Sequence, residues 1–335
     1  MHASIVTTVA DEPRDRLERM IDHLAAQTAG PLEVVIAAPA RDKATLGALH
    51  PRGAVAEIVV VDNPSGRRCP GLNRAIDKAR GDVVHRVDAR SLIEPSHVER
   101  CEQRLKLDET VGVVGGRQHG VAADDSAWAR GLARALANPW TTGGAAYRRP
   151  GAFGPVDTVY LGSFRRAELL GVGGYDESLD ANEDFDLCQR YIAAGFRVWL
   201  EDGLVVDYEG RSRLGDVWRQ YFAFGESKVR YWRARGERPN ARQLVGLLAP
   251  VGGVVALIVA FRRGLGVAAL VAGVLGSAAL DQKAVGGSPT VAERGVAMVG
   301  NVVVPTAWAA GVYRAVSRRR RRAPSVAALH PNDSA

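Results

Sequence analysis

Two acidic stations in this chain have the residue types and surroundings to do chemistry. Asp88 follows an apolar stretch at residues 82–87, and Glu183-Asp184 follow a glycine pair within GGYDESLDANEDFDLCQR, residues 173–190. A carboxylate at a strand end suits a divalent ion, because Mg²⁺ and Mn²⁺ take one or two carboxylates and complete their shell with phosphate and water. A carboxylate at the start of a rigid helix, behind a glycine turn, can be aimed into a cleft as a general base.

The elements that must position these acids follow from the apolar pattern. Asn182 stands where a helix N-cap is expected, and Glu183, Asp184 and Asp186 put negative charge in the first turn, where the helix dipole favours it. Phe185, Cys188 and Ile192 recur at i, i+3 and i+7 and predict the buried face; Gly195 ends the helix and residues 196–200 return as a strand. Upstream, strands are expected at 4–9, 32–37, 56–61 and 82–87. A helix bearing Leu17, Met20, Ile21 and Leu24 on one face follows the first, and another starting at Leu72 precedes the fourth. Strands alternating with helical patterns predict a mostly parallel, doubly wound α/β sheet. Ligands bind such sheets beyond the carboxyl ends of the strands, where Glu12, Asn63 and Asp88 fall. The next stretch is less regular, with strands at 111–116 and 159–164, helices at 128–136 and 165–170, and a loop rich in Gly and Arg at 141–154.

The 335 residues, 47% hydrophobic and 24% charged, are enough for a large packed core and argue against wholesale disorder. The three scattered cysteines, Cys69, Cys101 and Cys188, point away from both a disulfide framework and a zinc site. Ten Lys or Arg against three Asp or Glu follow Gln243, which accounts for the whole net charge of +7. The region before it is formally neutral, so a nucleic-acid partner is not expected. Residues 216–243 read as an aromatic and basic helix at a membrane surface. Residues 244–261 and 265–280 are uncharged and read as two membrane spans, and 296–312 as a third segment, re-entrant or interfacial. Arg318 begins a run of five arginines in a tail, 318–335, that is expected to be disordered. The resulting division is a catalytic domain over 1–215, the interfacial helix over 216–243, a membrane region over 244–317 and the tail.

Several segments, in this order, carry a resemblance to a known family. They are SIVTTVADE (4–12), VVDNPSGRRCPGLNRAIDKARGDVVHRVDARS (60–91), GGAAYRR (143–149), VDTVYLGSFRRAEL (156–169), GGYDESLDANEDFDLCQR (173–190) and QYFAFGESKVR (220–230). Over roughly residues 3–243 the chain resembles the family 2 glycosyltransferases of GT-A fold, in the branch typified by ExoA-type succinoglycan-biosynthesis enzymes. The resemblance implies an inverting, metal-dependent hexosyltransferase that uses Mg²⁺ or Mn²⁺. Its donor would be a nucleotide-diphosphate sugar, a UDP-sugar being the first expectation, and its acceptor a lipid-linked or nascent polysaccharide. It would work at the cytoplasmic side of the cell membrane in exopolysaccharide or surface-glycan synthesis. It further implies that Asp184 is the general base with Glu183 in support, and that Asp88 is the metal ligand. Thr8, Glu12, Asn63, Asn73, Asp88 and Arg90 would surround the donor; Gly173, Gly174, Tyr175, Arg165 and Arg166 would lie on the acceptor side.

Two positions depart from the family pattern. Ala37-Ala38-Pro39 stands where an acid usually grips the nucleobase, and the metal motif reads Asp88-Ala89-Arg90. Arginine cannot bind a metal but pairs with phosphate, so either Asp88 holds the ion with phosphate and water or Arg90 partly replaces it. A nicotinamide-dependent oxidoreductase is disfavoured because the turn after the first strand lacks the G-x-G-x-x-G phosphate loop. A non-catalytic, membrane-tethered sugar-binding or scaffold protein of the same fold is the alternative that the two departures leave standing.

Overall fold

The computed structural model describes residues 3–179 and 181–318. Its first half alternates strands and helices: β1 (Ala3–Thr8), α1 (Arg14–Ala25), β2 (Leu32–Ala38), α2 (Lys43–Gly47), β3 (Val55–Asp62), α3 (Arg68–Lys78) and β4 (Val83–Arg86). There follow β5 (Ser91–Ile93), α4 (His97–Leu107), β6 (Val111–Val121), α5 (Ala127–Ala137), α6 (Pro139–Thr142), β7 (Gly154–Pro155), β8 (Tyr160–Arg165), α7 (Arg166–Gly171), α8 (Glu183–Ala193) and β9 (Arg197–Glu209). Four helices close the chain: α9 (Leu214–Arg235), α10 (Ala241–Arg262), α11 (Gly266–Val285) and α12 (Val291–Ser317).

One sheet runs through the domain in the order β3-β2-β1-β4-β8-β6-β9-β5, with β7 added against β9. The expected mostly parallel sheet holds without interruption over β3, β2, β1 and β4. Beyond β4 the sheet is mixed: β8 is antiparallel to β4 and β6, β9 is parallel to β6, and β5 is antiparallel to β9. Apolar runs in doubly covered strands look alike in either direction, so strand direction was not readable from them.

Alternation along β1 and β2 sends side chains to two cores. Ile5, Val34 and Ile36 pack with Leu17, Met20, Ile21 and Leu24 of α1. Val6, Val35 and Ala37 pack with Cys69, Leu72 and Ile76 of α3 and with Leu187, Cys188 and Tyr191 of α8. The buried face of α8 thus differs from the expected one: Leu187, Cys188 and Tyr191 are buried, while Ile192 is exposed. Asn182 does occupy the N-cap position, but it is left-handed, at φ 66°, and its side chain makes no capping bond. The glycine-rich approach, rather than an Asn cap, sets the entry angle of the helix.

The four last helices divide in two. Helix α9 packs between α8 and α12. Asp186 of α8 accepts from Arg235 Nε of α9 at 2.6 Å, and Lys228 of α9 stands 4.2 Å from the Phe185 ring centre. A Cβ on Gly225 would overlap the Trp308 carbonyl, and one on Gly311 the Phe222 carbonyl, so α9 and α12 touch backbone to backbone. Helices α10 and α12 are long and apolar enough to cross a membrane. They differ in surroundings, since 44% of the apolar window of α12 is buried and only 6% of that of α10. The third segment, expected to be re-entrant or interfacial, is one continuous helix, α12, laid against α5 and α9. Helix α11 leaves Leu270, Val271, Val274 and Leu275 exposed, as α10 leaves Leu248, Val251, Val255 and Ile258. Apart from Arg318, the expected arginine-rich tail lies outside the described residues.

Candidate active site

The carboxyl ends of β1, β3 and β4 meet at one edge of the sheet, bringing Thr8, Asn63 and Asp88 together. Asn63 is fully buried; its Nδ2 donates to the Arg67 carbonyl at 2.9 Å and lies 3.5 Å from Thr8 Oγ1. Ser65 donates to Asn63 Oδ1 at 2.8 Å, which fixes the turn into α3. Gly71 of α3 sits where a Cβ would collide with both Asn63 and Thr8, so glycine there lets the helix approach the strand ends.

Both acidic stations close on one residue, Arg86, which is 1% exposed. Its Nε and Nη2 donate to the two oxygens of Asp88 at 2.9 and 3.1 Å. Nη2 also reaches Glu183 Oε1 at 3.2 Å, and Nη1 donates to Asp184 Oδ1. Arg68, at the start of α3, supplies a second cation to Glu183 at 3.1 Å. The ring of Tyr175 lies under the Arg86 guanidinium, 5.6 Å from centre to carbon. Three carboxylates therefore share two arginines, and burial makes these charge-assisted bonds both strong and obligatory.

The acids separate in proton affinity. Burial opposes the charge on Asp88, but Arg86 and Arg68 hold its carboxyl below the ordinary value. Glu183 is likewise pulled down by Arg68 and Arg86 against its burial. Asp184 goes the other way: burial, opposed by Arg86 and reinforced by Glu183 and Asp88, pushes it up to about 7. A half-buried carboxylate with that affinity accepts a proton near neutral pH.

A model of the family described as "Glycosyltransferase like family 2" matches residues 2–224. The chain belongs to this family. As a member it is a glycosyltransferase-like enzyme that transfers a sugar from a nucleotide-sugar donor. The family 2 chain is 29% identical over 274 residues to the succinoglycan biosynthesis protein ExoA of Rhizobium meliloti (strain 1021), covering 79% of each chain. A pre-mycofactocin glycosyltransferase of Mycobacterium tuberculosis (strain CDC 1551 / Oshkosh) is 40% identical over 52 residues, 16% of this chain and 11% of that protein. Among solved structures, the mannosyltransferase PcManGT of Pyrobaculum calidifontis, in complex with GDP-Man and Mn²⁺, superposes with a TM-score of 0.63. It is 18% identical, with 94% of this chain and 87% of that one covered, and the likeness establishes the shared GT-A fold.

Not every expected residue of the family 2 chain reaches the cluster. Arg165 lies opposite Val83, at the end of β4 remote from Asp88, and bonds the Val111 carbonyl at 3.1 Å and Glu168 at 2.7 Å. Arg166 donates to the carbonyls of Ile76 and Asp77, both at 3.3 Å. Both arginines tie off element ends, away from the cluster around Arg86. Asn73 holds the glycine turn: it accepts from Tyr175 N at 2.8 Å and donates to the Tyr175 carbonyl at 2.9 Å, beneath Gly173 and Gly174 at φ 86° and 62°. Arg90 pairs with Glu12 at 3.6 Å, and Glu12 also pairs with Arg16 at 2.5 Å. The arginine that meets Asp88 is thus Arg86, not Arg90. The motif reading missed Arg86 and Arg68, although a charged residue inside the buried strand VVHR signals a paired cation.

The divalent ion that the family resemblance implies can be tested against this donor set. Among the described residues, no group of three His, Cys, Asp or Glu side chains converges as a metal site. Asp88 is one ionised carboxylate whose side chain is 20% exposed, and each of its oxygens keeps a lone pair beyond its Arg86 bond. That fits an ion held mostly by phosphate and water, with one protein ligand.

Proposed function

We propose that the protein is an inverting glycosyltransferase that moves a sugar from a nucleotide-diphosphate donor, with a UDP-sugar first in line, to a lipid-linked or nascent polysaccharide. The observation that carries this reading is Asp184, poised near neutral pH on the same guanidinium that grips Asp88. Asp184 takes the acceptor hydroxyl's proton as that oxygen attacks the anomeric carbon. Glu183, ionised and locked between Arg68 and Arg86, fixes the approach of α8 and keeps its neighbour's proton affinity high. Thr8 and Asn63 line the nucleotide side, and Asp88 with Arg68 stands where the diphosphate leaves. Mg²⁺ or Mn²⁺ bound at Asp88 would neutralise charge on the departing diphosphate. The Mn²⁺ and nucleotide sugar bound by the Pyrobaculum enzyme support a donor of this kind.

In the same reading, α10 and α11 enter the bilayer as a hairpin, α12 and α9 lie at its surface, and the catalytic domain faces the cytoplasm. The exposed apolar side chains of α10 and α11 support it.

Calorimetric titration of the full chain in nanodiscs with UDP, GDP and dTDP, each with and without Mn²⁺, tests the donor site. One nucleotide is expected to bind tightly with Mn²⁺, and Asp88→Ala should remove the metal dependence. No binding of any nucleotide by folded protein would favour a non-catalytic sugar-binding role.

A further inference from the structure

Four of the chain's eight tyrosines gather on the far side of Asp88 from Thr8 and Asn63. Tyr147 stacks on Tyr160, with ring centres 6.5 Å apart and planes 20° from parallel, and Tyr160 meets Tyr208 edge-on at 6.0 Å. The Tyr160 hydroxyl lies 2.6 Å from Ser91 Oγ, and Ser91 in turn pairs with Tyr208 across β5 and β9. The row therefore starts three residues from Asp88. At its other end the Arg148 guanidinium sits 5.6 Å from the Tyr147 ring centre, with the phenols of Tyr208 and Tyr221 around it rather than carboxylates. Gln220, next to Tyr221 on α9, lies 3.4 Å from the Tyr208 hydroxyl.

All six side chains are half-buried, unlike the core, which is built mainly of Val, Leu, Ile and Ala. Half-buried rings with polar tips and an arginine match a ligand with an apolar face and a hydroxyl rim. A pyranose has both. The row stands in the other half of the sheet from the proposed nucleotide side: Thr8 and Asn63 belong to the β3-β2-β1-β4 half, whereas Tyr160 and Tyr208 stand on β8 and β9. Tyr221 on α9 packs where α9 meets α5 and α12.

We propose that Tyr147, Tyr160, Tyr208 and Tyr221, with Arg148 and Gln220, form a subsite for a pyranose ring of the acceptor saccharide, adjoining Asp88 and running toward α9. The assignment rests on the glycosyl-transfer reading. The half-buried rings meet the sugar's C–H face with the surface that the Tyr147–Tyr160 stack and the Arg148 contact leave open, while Arg148 and Gln220 donate to its hydroxyls.

Saturation-transfer NMR on the full chain in nanodiscs, with methyl β-D-glucopyranoside and methyl β-D-galactopyranoside as probes, tests it. Transfer is expected to the ring C–H protons of at least one glycoside. Tyr147→Ala should weaken that binding about tenfold, as loss of a stacking partner does. Tyr147→Phe, which keeps the ring, should retain it, and Arg148→Gln, which leaves all four tyrosines in the chain, should weaken it. UDP affinity, measured by calorimetry, should stay unchanged in all three. Absence of transfer to both glycosides, a signal indifferent to Tyr147→Ala and Arg148→Gln, or a parallel loss of UDP affinity would overturn the subsite. Failure of the wild-type chain to bind any nucleotide, with the glycoside signal intact, would instead sink the donor reading and leave the sugar site standing.

Discussion

Arg86 is the residue on which the cleft depends, because its guanidinium touches Asp88, Glu183 and Asp184 together. Removing a buried cation leaves its partners uncompensated, so Arg86→Met should cost about 3–5 kcal/mol. Arg86→Lys keeps the charge but loses the forked geometry and should fall between it and the wild type. Thermal unfolding checks this; equal midpoints for all three would show that the pairing contributes nothing. Asp184 sets the second prediction. Only its ionised form accepts a proton, so turnover should rise with pH through about 7. Asp184→Asn should lower turnover by roughly 10²–10⁴-fold and leave donor affinity alone. Its effect on stability has the opposite sign. A carboxyl whose folded affinity exceeds its ordinary 3.8 stabilises the fold at low pH, and that contribution is lost as pH rises through about 7. The unfolding midpoint of Asp184→Asn should therefore fall less over that window than the wild type's.

At the scale of elements, α8 is held from both sides. Its core face packs under the sheet, and Asp186 reaches Arg190 at 2.9 Å and Arg235 of α9 at 2.6 Å. Ser227 of α9 also donates to the Ala181 carbonyl at 2.6 Å, just before the acidic pair. The orientation of Asp184 thus depends on α9, and the seat of α9 depends on its glycine contact with α12. Gly225→Val forces side-chain atoms into the Trp308 carbonyl and should destabilise the protein by about 1–3 kcal/mol, the usual effect of overpacking. It should also lower turnover without altering nucleotide affinity, since Thr8 and Asn63 stand at the ends of β1 and β3 and take no part in that crossing. Denaturation midpoints and steady-state rates on one preparation would separate the two effects, and a rate unchanged despite a lowered midpoint would uncouple α9 from Asp184.

Over the whole molecule, the α10–α11 hairpin is fastened at its base and open along its length. Tyr313 of α12 donates to the Leu247 carbonyl at 2.6 Å, and Asp281, near the end of α11, pairs with Arg134 of α5 at 2.5 Å. Between those ties the apolar side chains stay exposed, and 22 residues of helix at 1.5 Å each match the hydrocarbon thickness of a bilayer. Val255→Glu, on an exposed position of α10, places a charge at mid-span, which is unfavourable by about 2.5–3.5 kcal/mol. It should shift the protein from the membrane pellet toward the soluble fraction with unchanged UDP binding. Undiminished pelleting would place α10 outside the bilayer.

The amino-acid pattern alone determined that β1 to β4 alternate with helices, that Asn63 and Asp88 follow strand ends, that Glu183 and Asp184 open a helix, and that the C-terminal region is apolar. Each of these, as far as it places residues at the ends of strands and helices, is a matter of local burial and spacing, which periodicity encodes; that β2 stands between the strands of Thr8 and Asn63 is not. Only the tertiary structure decided that Asp88 and Asp184, 96 positions apart, share Arg86. It also decided that Arg165 and Arg166 lie at the end of β4 remote from Asp88, that the sheet turns mixed after β4, and that α12 lies on the domain. Such outcomes depend on which strand becomes whose neighbour. That choice is made by long-range packing, and one apolar run is compatible with several neighbours until the whole sheet is assembled.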